Sequence, residues 1–519
     1  MKVVKVKALA LILSYTIAGV AIMAVLHWSR TAARAQAPTP SMLVPNLGVR
    51  TVVTGLEQPT TMAFLNANEF FILEKATGRV KRVLNGAVQG VVLDLAVNNA
   101  SERGLLGIAL HPNFPTNPGV YLYYTCQAPP PVESNPFFPT LQECADPPAL
   151  GDDTSNILAV PLRGNRVDRF VWNGTSLTYD RNLIKLHAFQ NDGAPVPAGQ
   201  GDSAQPPAGN HNAGIIRFGP DGKLYVVIGD NGRRGQLQNL PQGPTPPSPD
   251  DQFGGPQPDN NHFTGIIMRL NDDGTTPTDN PFFSAGASIG GEAGANIQKI
   301  YAYGLRNTFG MAFDPISGSL WDEQNGDDTF DEINRVEPGM NGGWVQVMGP
   351  LSRINQFKTI EVTRPPGTLQ QLRWPPSNIA DTPQEAQSRM FMLPGAHYKD
   401  PEFSWKFSVA PAAIGFMSGR GLGPQYEGDL FVGASRLTLA GGYLMRFNLT
   451  GNRKKIGVDD PRLEDRVADN TNKFDITESE SLLIGRDFGV GTDIHTGPNG
   501  NLFVVSLSSG AVYEVFRKP

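Results

Sequence analysis

The sequence predicts an all-β chain, a six-bladed β-propeller with long inserted loops that occupies residues 44–519. Three observations predict it. One hairpin pattern returns six times along the chain, two of its copies continue as strand–turn–strand near the two ends, and turn-forming residues abound. With 57 Gly and 44 Pro in 519 residues, tight turns are favoured and long helices are not.

The six hairpins come in order. TMAFLNANEFFILEK spans 61–75 and GIALHPNFPTNPGVYLYYT spans 107–125. GIIRFGPDGKLYVVIG covers 214–229 and GMAFDPISGSLWDEQ covers 310–324. A weaker copy, GFMSGRGLGPQYEGDLFVGAS, lies at 415–435, and DIHTGPNGNLFVVSL closes the series at 493–507. In each, Pro, Gly and Asn provide the turn dihedrals, while β-branched and aromatic residues suit pleated, half-buried strands. Even spread over the chain points to a radially repeated sheet. The strand–turn–strand copies, ILEK-ATG-RVKRV at 72–83 and VVSL-SSG-AVYEV at 504–515, stand where such a ring has to close. A sandwich of this length would need unusually long strands. Segments 127–153 and 235–261, rich in Pro, Gly, Asn and Asp, read as the long loops.

Residues 1–35 differ from the rest. Lys2, Lys5 and Lys7 precede an apolar run from Ala8 to Leu26, and Ala33-Arg34-Ala35 follows. This is the layout of a signal peptide cleaved after Ala35, or of an N-terminal membrane anchor, since the run nears the ~20 residues that span a bilayer. Either reading puts the remainder outside the cytoplasm, periplasmic or secreted, with membrane contact only through an uncleaved N-terminal segment. Cys126 and Cys144 are the two cysteines. An oxidising compartment allows them to close one Pro-rich loop as a disulfide. A net charge of −6 gives no general reason to expect nucleic acid or an anionic membrane as partner.

Three segments carry chemistry. GNHNAG at 209–214 puts His211 on a loop entering a strand, as a backbone-bonded turn residue or as a general base that titrates near neutrality. YAYGLRNTFG at 301–310 sets Arg306 and Asn307 between apolar stretches. The guanidinium there either clamps loops or binds an oxyanion or a cofactor carboxylate at two points. DEQNGDDTFDEIN at 322–334 gathers Asp322, Glu323, Asp327, Asp328, Asp331 and Glu332. So many carboxylates suit a hard cation, calcium before magnesium, or a solvated acidic loop. The spacing is not that of an EF-hand. GRGLG at 419–423 and GVG at 489–491 lack the third glycine of a dinucleotide site, and there is no phosphate loop or HExxH.

Taken together, ERGLLGIALHPNF (102–114), NHNAGIIRFGPDGKLYVVIGDNG (210–232), GIIMRLNDDGTTPTDNPFF (265–283), IYAYGLRNTFGMAFDP (300–315) and the acidic segment followed by GGW at 342–344 resemble the soluble quinoprotein glucose/sorbosone dehydrogenases. The resemblance, which includes the aldose sugar dehydrogenase-like members, runs from about Gly55 to Phe516. It implies a six-bladed propeller with pyrroloquinoline quinone (PQQ), Ca2+ and a sugar substrate on its top face, and an external electron acceptor. It makes His211 the base that takes the proton from the anomeric hydroxyl while hydride passes to the quinone. Arg306 and Asn307 match the pair that contacts the quinone, with Arg306 also polarising its oxygen. Asp230 and Gln324 match polar positions of the site, and the segment Asn325, Gly326, Asp327 matches the one whose backbone carbonyls hold the calcium. SWKFSVAP at 404–411 implies that Trp405 and Ser408 flank the quinone, and Arg436 stands where the family has a cofactor-binding lysine.

The pattern also departs from the family. The late Arg-x-Arg-Asp segment reads GVGTDI at 489–494, which keeps Asp493 and loses both arginines, and the calcium loop lacks Gly-Pro. Arg420, Arg436 and Arg486 are the candidates to replace the lost charge. If they converge on the tunnel with His211, a PQQ-dependent sugar dehydrogenase is expected. If they stand outside it, a non-catalytic propeller that binds carbohydrate or protein is the alternative. A calcium-dependent hydrolase or lactonase is a third reading.

Overall fold

In the computed structural model, which describes residues 39–125, 164–188, 211–231, 265–363 and 376–519 apart from 96, 100, 187, 437, 438 and 440, each predicted hairpin forms and starts a sheet. The pairs are Pro59–Asn66 with Glu69–Glu74, Leu105–Leu110 with Gly119–Thr125, Ile216–Phe218 with Leu224–Ile228, Thr308–Phe313 with Leu320–Gln324, Pro411–Phe416 with Leu430–Ala434, and Gly491–Thr496 with Leu502–Ser506. Two turns show the local cause. In GPDGK, Gly222 takes φ +72° and Asp221 Oδ1 accepts from Lys223 N at 3.1 Å. In GPNGN, Gly500 takes φ +79° and Asn499 Oδ1 accepts from Asn501 N at 3.1 Å. The acidic or amide side chain sets the turn, and glycine takes the left-handed position that a side chain resists.

Among the described residues the strands build six sheets of four to six strands each. Their innermost strands touch in chain order, and Gly491–Thr496 in turn touches Pro59–Asn66. Six apolar seams fill the intervals. Phe71 and Leu122 meet in one, Tyr121 and Val226 in the next, and Val227 and Met311 in a third. Trp321 and Val432, Phe431 and Val504, and Val505 and Phe70 continue the circuit. Because each sheet is covered on both faces, second strands such as Leu224–Ile228 and Leu502–Ser506 are buried at every position.

Closure uses both ends of the compact unit Pro40–Pro519. Leu47–Thr54 adds antiparallel to Ala511–Arg517, from Leu47 opposite Arg517 to Thr54 opposite Ala511. Val53, Met62, Val505 and Val512 then bury the seam between the last sheet and the first, each worth roughly 1.5–3 kcal/mol when fully buried. This is a β-propeller fold.

Helices occupy insertions that the hairpin pattern did not foretell. α1 (Phe283–Ile289) and α2 (Gly291–Ile297) follow the third strand of one sheet. α3 (Ile354–Thr363) and α4 (Pro383–Arg389) form a lobe over Phe330 and Trp344, to which α3 contributes Phe357. α4 starts on a reciprocal cap: Thr382 Oγ1 accepts from Glu385 N at 3.1 Å and Glu385 Oε2 accepts from Asp381 N at 2.7 Å. The segment 1–35, both cysteines and the loops predicted at 127–153 and 235–261 lie outside the described residues. Among the described residues no helix is long and apolar enough to cross a membrane.

Candidate functional site

A cavity of about 320 Å³ opens inside the ring, within the range of small-molecule sites. Each sheet contributes one residue from its innermost strand or directly beside it: Thr60, Leu106, Ile215, Phe309, Ala412 and Thr492. Lys75, Glu102, Asn325, Ala410, Ser435 and Val490 also line it. The loops there are held in a conformation that costs L-residues roughly 1–3 kcal/mol each. Ser101, His211, Ala213, Asn231 and Ala410 all have φ between +49° and +55°.

His211 is buried, and its Nδ1–H donates to Asp230 Oδ1 at 2.6 Å. Asp230 is fixed in turn, because Trp344 Nε1 donates to its other oxygen at 2.9 Å and its backbone N–H donates to Arg306 O at 2.9 Å. An imidazole whose Nδ1 carries the proton leaves Nε2 with a lone pair, the form a general base needs. Glu102 ties the parts together, its Oε2 accepting from His211 N at 2.7 Å and from Asn307 Nδ2 at 3.3 Å.

Arg306 is also buried, with its guanidinium 5.5 Å from the Trp344 ring centroid. Its Nη1 donates to the carbonyls of Asn325 at 2.7 Å and Gly326 at 2.9 Å, and Nη2 pairs with Asp327. Gln324 Oε1 accepts from the Arg306 backbone N–H at 2.9 Å. Burial opposes the charge, yet Asp327 and Asp230 keep the Arg306 pKa above its ordinary value. Asn307 Oδ1 and Gln324 Nε2 are buried and find no hydrogen-bond partner among the described residues. His211, Asp230, Arg306, Asn307, Gln324, Asn325, Gly326 and Asp327 thus form one connected group.

The acidic segment is neither a solvated loop nor a ring of free carboxylates. Asp331 accepts from Gly326 N at 2.8 Å, Ser408 Oγ at 2.6 Å, and Val409 N and Ala410 N at 2.7 Å each. Asp328 pairs with Lys473, whose Nζ also donates to Asp327 O at 2.9 Å. Burial pushes the Asp322 carboxyl up to about 7 and Glu332 to about 8. Burial raises Asp331 as well, against its hydrogen bonds. Among the described residues no group of three or more His, Cys, Asp or Glu converges as a metal site.

Other sequence candidates stand elsewhere. Trp405 is fully buried between Phe403 and Phe447, ring centroids 4.9 Å and 6.1 Å away, as a core residue that does not line the cavity. Ser408 is spent on Asp331. Arg436 lies over Tyr443 with Asp487 at 3.9 Å, Arg420 donates to Glu427 at 2.6 Å, and Arg486 faces Asp487 at 3.9 Å. None of the three lines the cavity, where Val490 and Thr492 do. Asp493 is buried deeper. Burial works against its charge, but His495 and Arg217, at 2.8 and 2.7 Å, hold it well below the carboxylate range.

Sequence reasoning missed Glu102, Lys75 and Trp344 as site residues. Glu102 and Trp344 sit inside quoted motifs, ERGLLG and GGW, while Lys75 ends a hairpin strand. Lys75 Nζ donates to Asn99 O at 3.1 Å and Ser101 O at 2.9 Å, and burial draws its pKa down to about 8 against the pull of Glu102.

The chain is 28% identical over 347 residues to quinoprotein glucose dehydrogenase B of Acinetobacter calcoaceticus, a match taking in 64% of this chain and 61% of that protein. It is 24% identical over 471 residues to the aldose sugar dehydrogenase YliI of Escherichia coli K12, covering 89% and 90% of the two. In fold it matches the PQQ-bound aldose sugar dehydrogenase of Streptomyces coelicolor with a TM-score of 0.51 at 20% identity, over 92% of this chain and all of that one. The family profile described as Glucose / Sorbosone dehydrogenase matches residues 56–135 and 201–391, more than half of the sequence. With four of the six inner strands, His211, Asp230, Arg306 and the acidic segment inside those matched stretches, the chain belongs to the glucose/sorbosone dehydrogenase family.

Proposed function

We propose that the chain is an exported quinoprotein dehydrogenase, PQQ-dependent, that oxidises an aldose or related sugar and passes electrons to an external acceptor. The observation that carries this is the His211–Asp230 pair beside Arg306, bonded to the cavity wall through Glu102 and Asn325. The six sheets and six seams support six blades in a single ring. The basic, then apolar, N-terminal segment supports export, as a cleaved signal or an anchor, to the periplasm or outside the cell.

The quinone fits the residues present. Leu106, Ile215, Phe309 and Val490 offer apolar walls to a flat ring system, and Lys75 is a cation on the wall for its carboxylates. Buried Asn307 Oδ1 and Gln324 Nε2 are polar atoms without a partner among the described residues. A quinone held by these residues would supply the acceptor for the hydride of the hydroxyl-bearing carbon. His211 Nε2 takes the hydroxyl proton, Asp230 keeps the ring in the accepting tautomer, and Glu102 orients His211 and Asn307 from their other side. General-base help contributes roughly 10²–10⁴ in rate. Calcium fits less well, because the carbonyls of Asn325 and Gly326 already accept from Arg306.

The test is reconstitution. Titrating the purified protein with PQQ and assaying dye reduction over a panel of aldoses should give turnover that His211→Ala abolishes. No quinone binding and no dye reduction overturns the proposal. A second reading, a propeller that binds carbohydrate or protein without catalysis, is favoured by Arg420, Arg436 and Arg486 standing off the cavity wall. On that reading sugar or protein binding survives His211→Ala.

A further inference from the structure

We infer that Arg306 is a built-in replacement for a divalent cation, so that the loop Asn325–Asp327 is held by a guanidinium and needs no calcium. Three oxygens of the kind that calcium takes, the carbonyls of Asn325 and Gly326 and a carboxylate of Asp327, converge on this one side chain. A calcium ion requires six to eight oxygens at about 2.3–2.6 Å. Glu361 accepts from Asp328 N at 3.1 Å, and two further carboxylates beside the loop are committed. Asp331 accepts four hydrogen bonds from Gly326, Ser408, Val409 and Ala410. Asp328 is paired with Lys473.

Charge argues the same way. Arg306 and Lys473 already set two cations against the loop, and a divalent ion on the same oxygens would face both. Arg306 is not free to swing aside. Its side chain is buried, and the Trp344 ring lies 5.5 Å from its guanidinium. A guanidinium keeps its charge throughout the working pH range, and its planar fork can serve carbonyl and carboxylate oxygens together. The loop therefore keeps its cation under any chelator, and its shape does not depend on the ion content of the compartment.

The experiment compares the wild-type protein after EDTA dialysis with the same protein in millimolar calcium chloride, by thermal melting and by diffraction from crystals grown in calcium. An ion that bound the folded loop would raise the melting temperature by mass action. The expected result is no rise, and no ion on the Asn325 and Gly326 carbonyls. An ion located on those two oxygens overturns the inference, while one located elsewhere supports it. Arg306→Met should expose the three oxygens and make melting calcium-dependent. A folded Arg306→Met protein indifferent to calcium also overturns the inference. If that variant does not fold, the wild-type arms decide, with Arg306→Lys expected to stay calcium-indifferent. Quinone binding that fails in both EDTA and calcium would count against the proposed dehydrogenase alone.

Discussion

His211 Nδ1 donates to Asp230 Oδ1 at 2.6 Å, and this contact fixes which ring nitrogen is left to take a proton. Asp230→Asn removes the charge and lets the amide present the wrong group to Nδ1. We expect kcat to fall by roughly 10²–10⁴ with KM changed far less, because the loss is of proton transfer and not of ground-state binding. Trp344→Phe removes only the donor to the second Asp230 oxygen, so its loss should be much smaller, about tenfold for one hydrogen bond. Steady-state dye reduction on the quinone-loaded protein checks both. Equal losses would show that Trp344 does more than steady Asp230.

Asp331 gives a prediction about stability. Its carboxylate gathers the N–H groups of Gly326, Val409 and Ala410, joining the acidic segment to the start of an inner strand. Asp331→Ala strands these donors in a buried setting, at about 1–3 kcal/mol for each one left unpaired. Ser408→Ala loses one hydrogen bond of the same group and should cost about 1 kcal/mol. Chemical denaturation measures both. Since Ser408 serves Asp331, its variant should leave quinone affinity unchanged, and a large loss of affinity would return it to the ligand shell.

The buried carboxyls predict a pH dependence. Glu332 is raised by burial from 4.5 to about 8. Between those values the native protein holds a proton that the unfolded chain has released, so stability falls as pH rises through the window. Glu332→Gln keeps an acceptor for Gly349 N and cannot ionise. The variant should match wild type near about pH 5 and exceed it above about pH 8, by an amount on the order of a few kcal/mol. Denaturation midpoints across this range check it. Parallel curves for the two proteins would mean that Glu332 is ionised in the native state.

The fold was legible because hairpins are local. GPDGK and GPNGN encode their own turns, and the strands beside them need only a half-buried surface, so all six inner pairs could be read from short segments. His211 and Arg306 were legible as residues of unusual chemistry on loops next to such strands. Their partners were not. Glu102 reaches His211 across 109 positions of chain, and nothing local distinguishes it from a solvated glutamate. The acidic segment misled for a related reason: a carboxylate that staples backbone N–H groups, as Asp331 does, has the same local sequence as one that awaits a cation. Trp405 misled in the opposite sense, since an aromatic beside a site motif is read as a ligand wall, and here it fills a seam between sheets. The helical lobe that holds Phe357 carries no repeat to announce it.

Val490 and Thr492 line the cavity at the segment where the family resemblance calls for two arginines. A tricarboxylate ligand would then meet Lys75 as the cation among the described residues of the wall, with Arg436 turned to Asp487. Val490→Arg would set a guanidinium on the cavity wall, where Val490 is partly exposed and a longer side chain has room to reach solvent. A charge-assisted pair with a carboxylate is roughly twice as strong as a neutral hydrogen bond, so at about 1.5–3 kcal/mol quinone affinity should rise by about ten- to a hundredfold. Lys75→Met should lower it by a similar factor, because that change removes a charge and not only a contact. Fluorescence titration of the purified protein with quinone reads both variants on one scale. If Val490→Arg left affinity unchanged while Lys75→Met abolished it, the carboxylates would lie wholly on the Lys75 side of the cavity. If neither variant moved it, the ligand of this cavity would not be an anion.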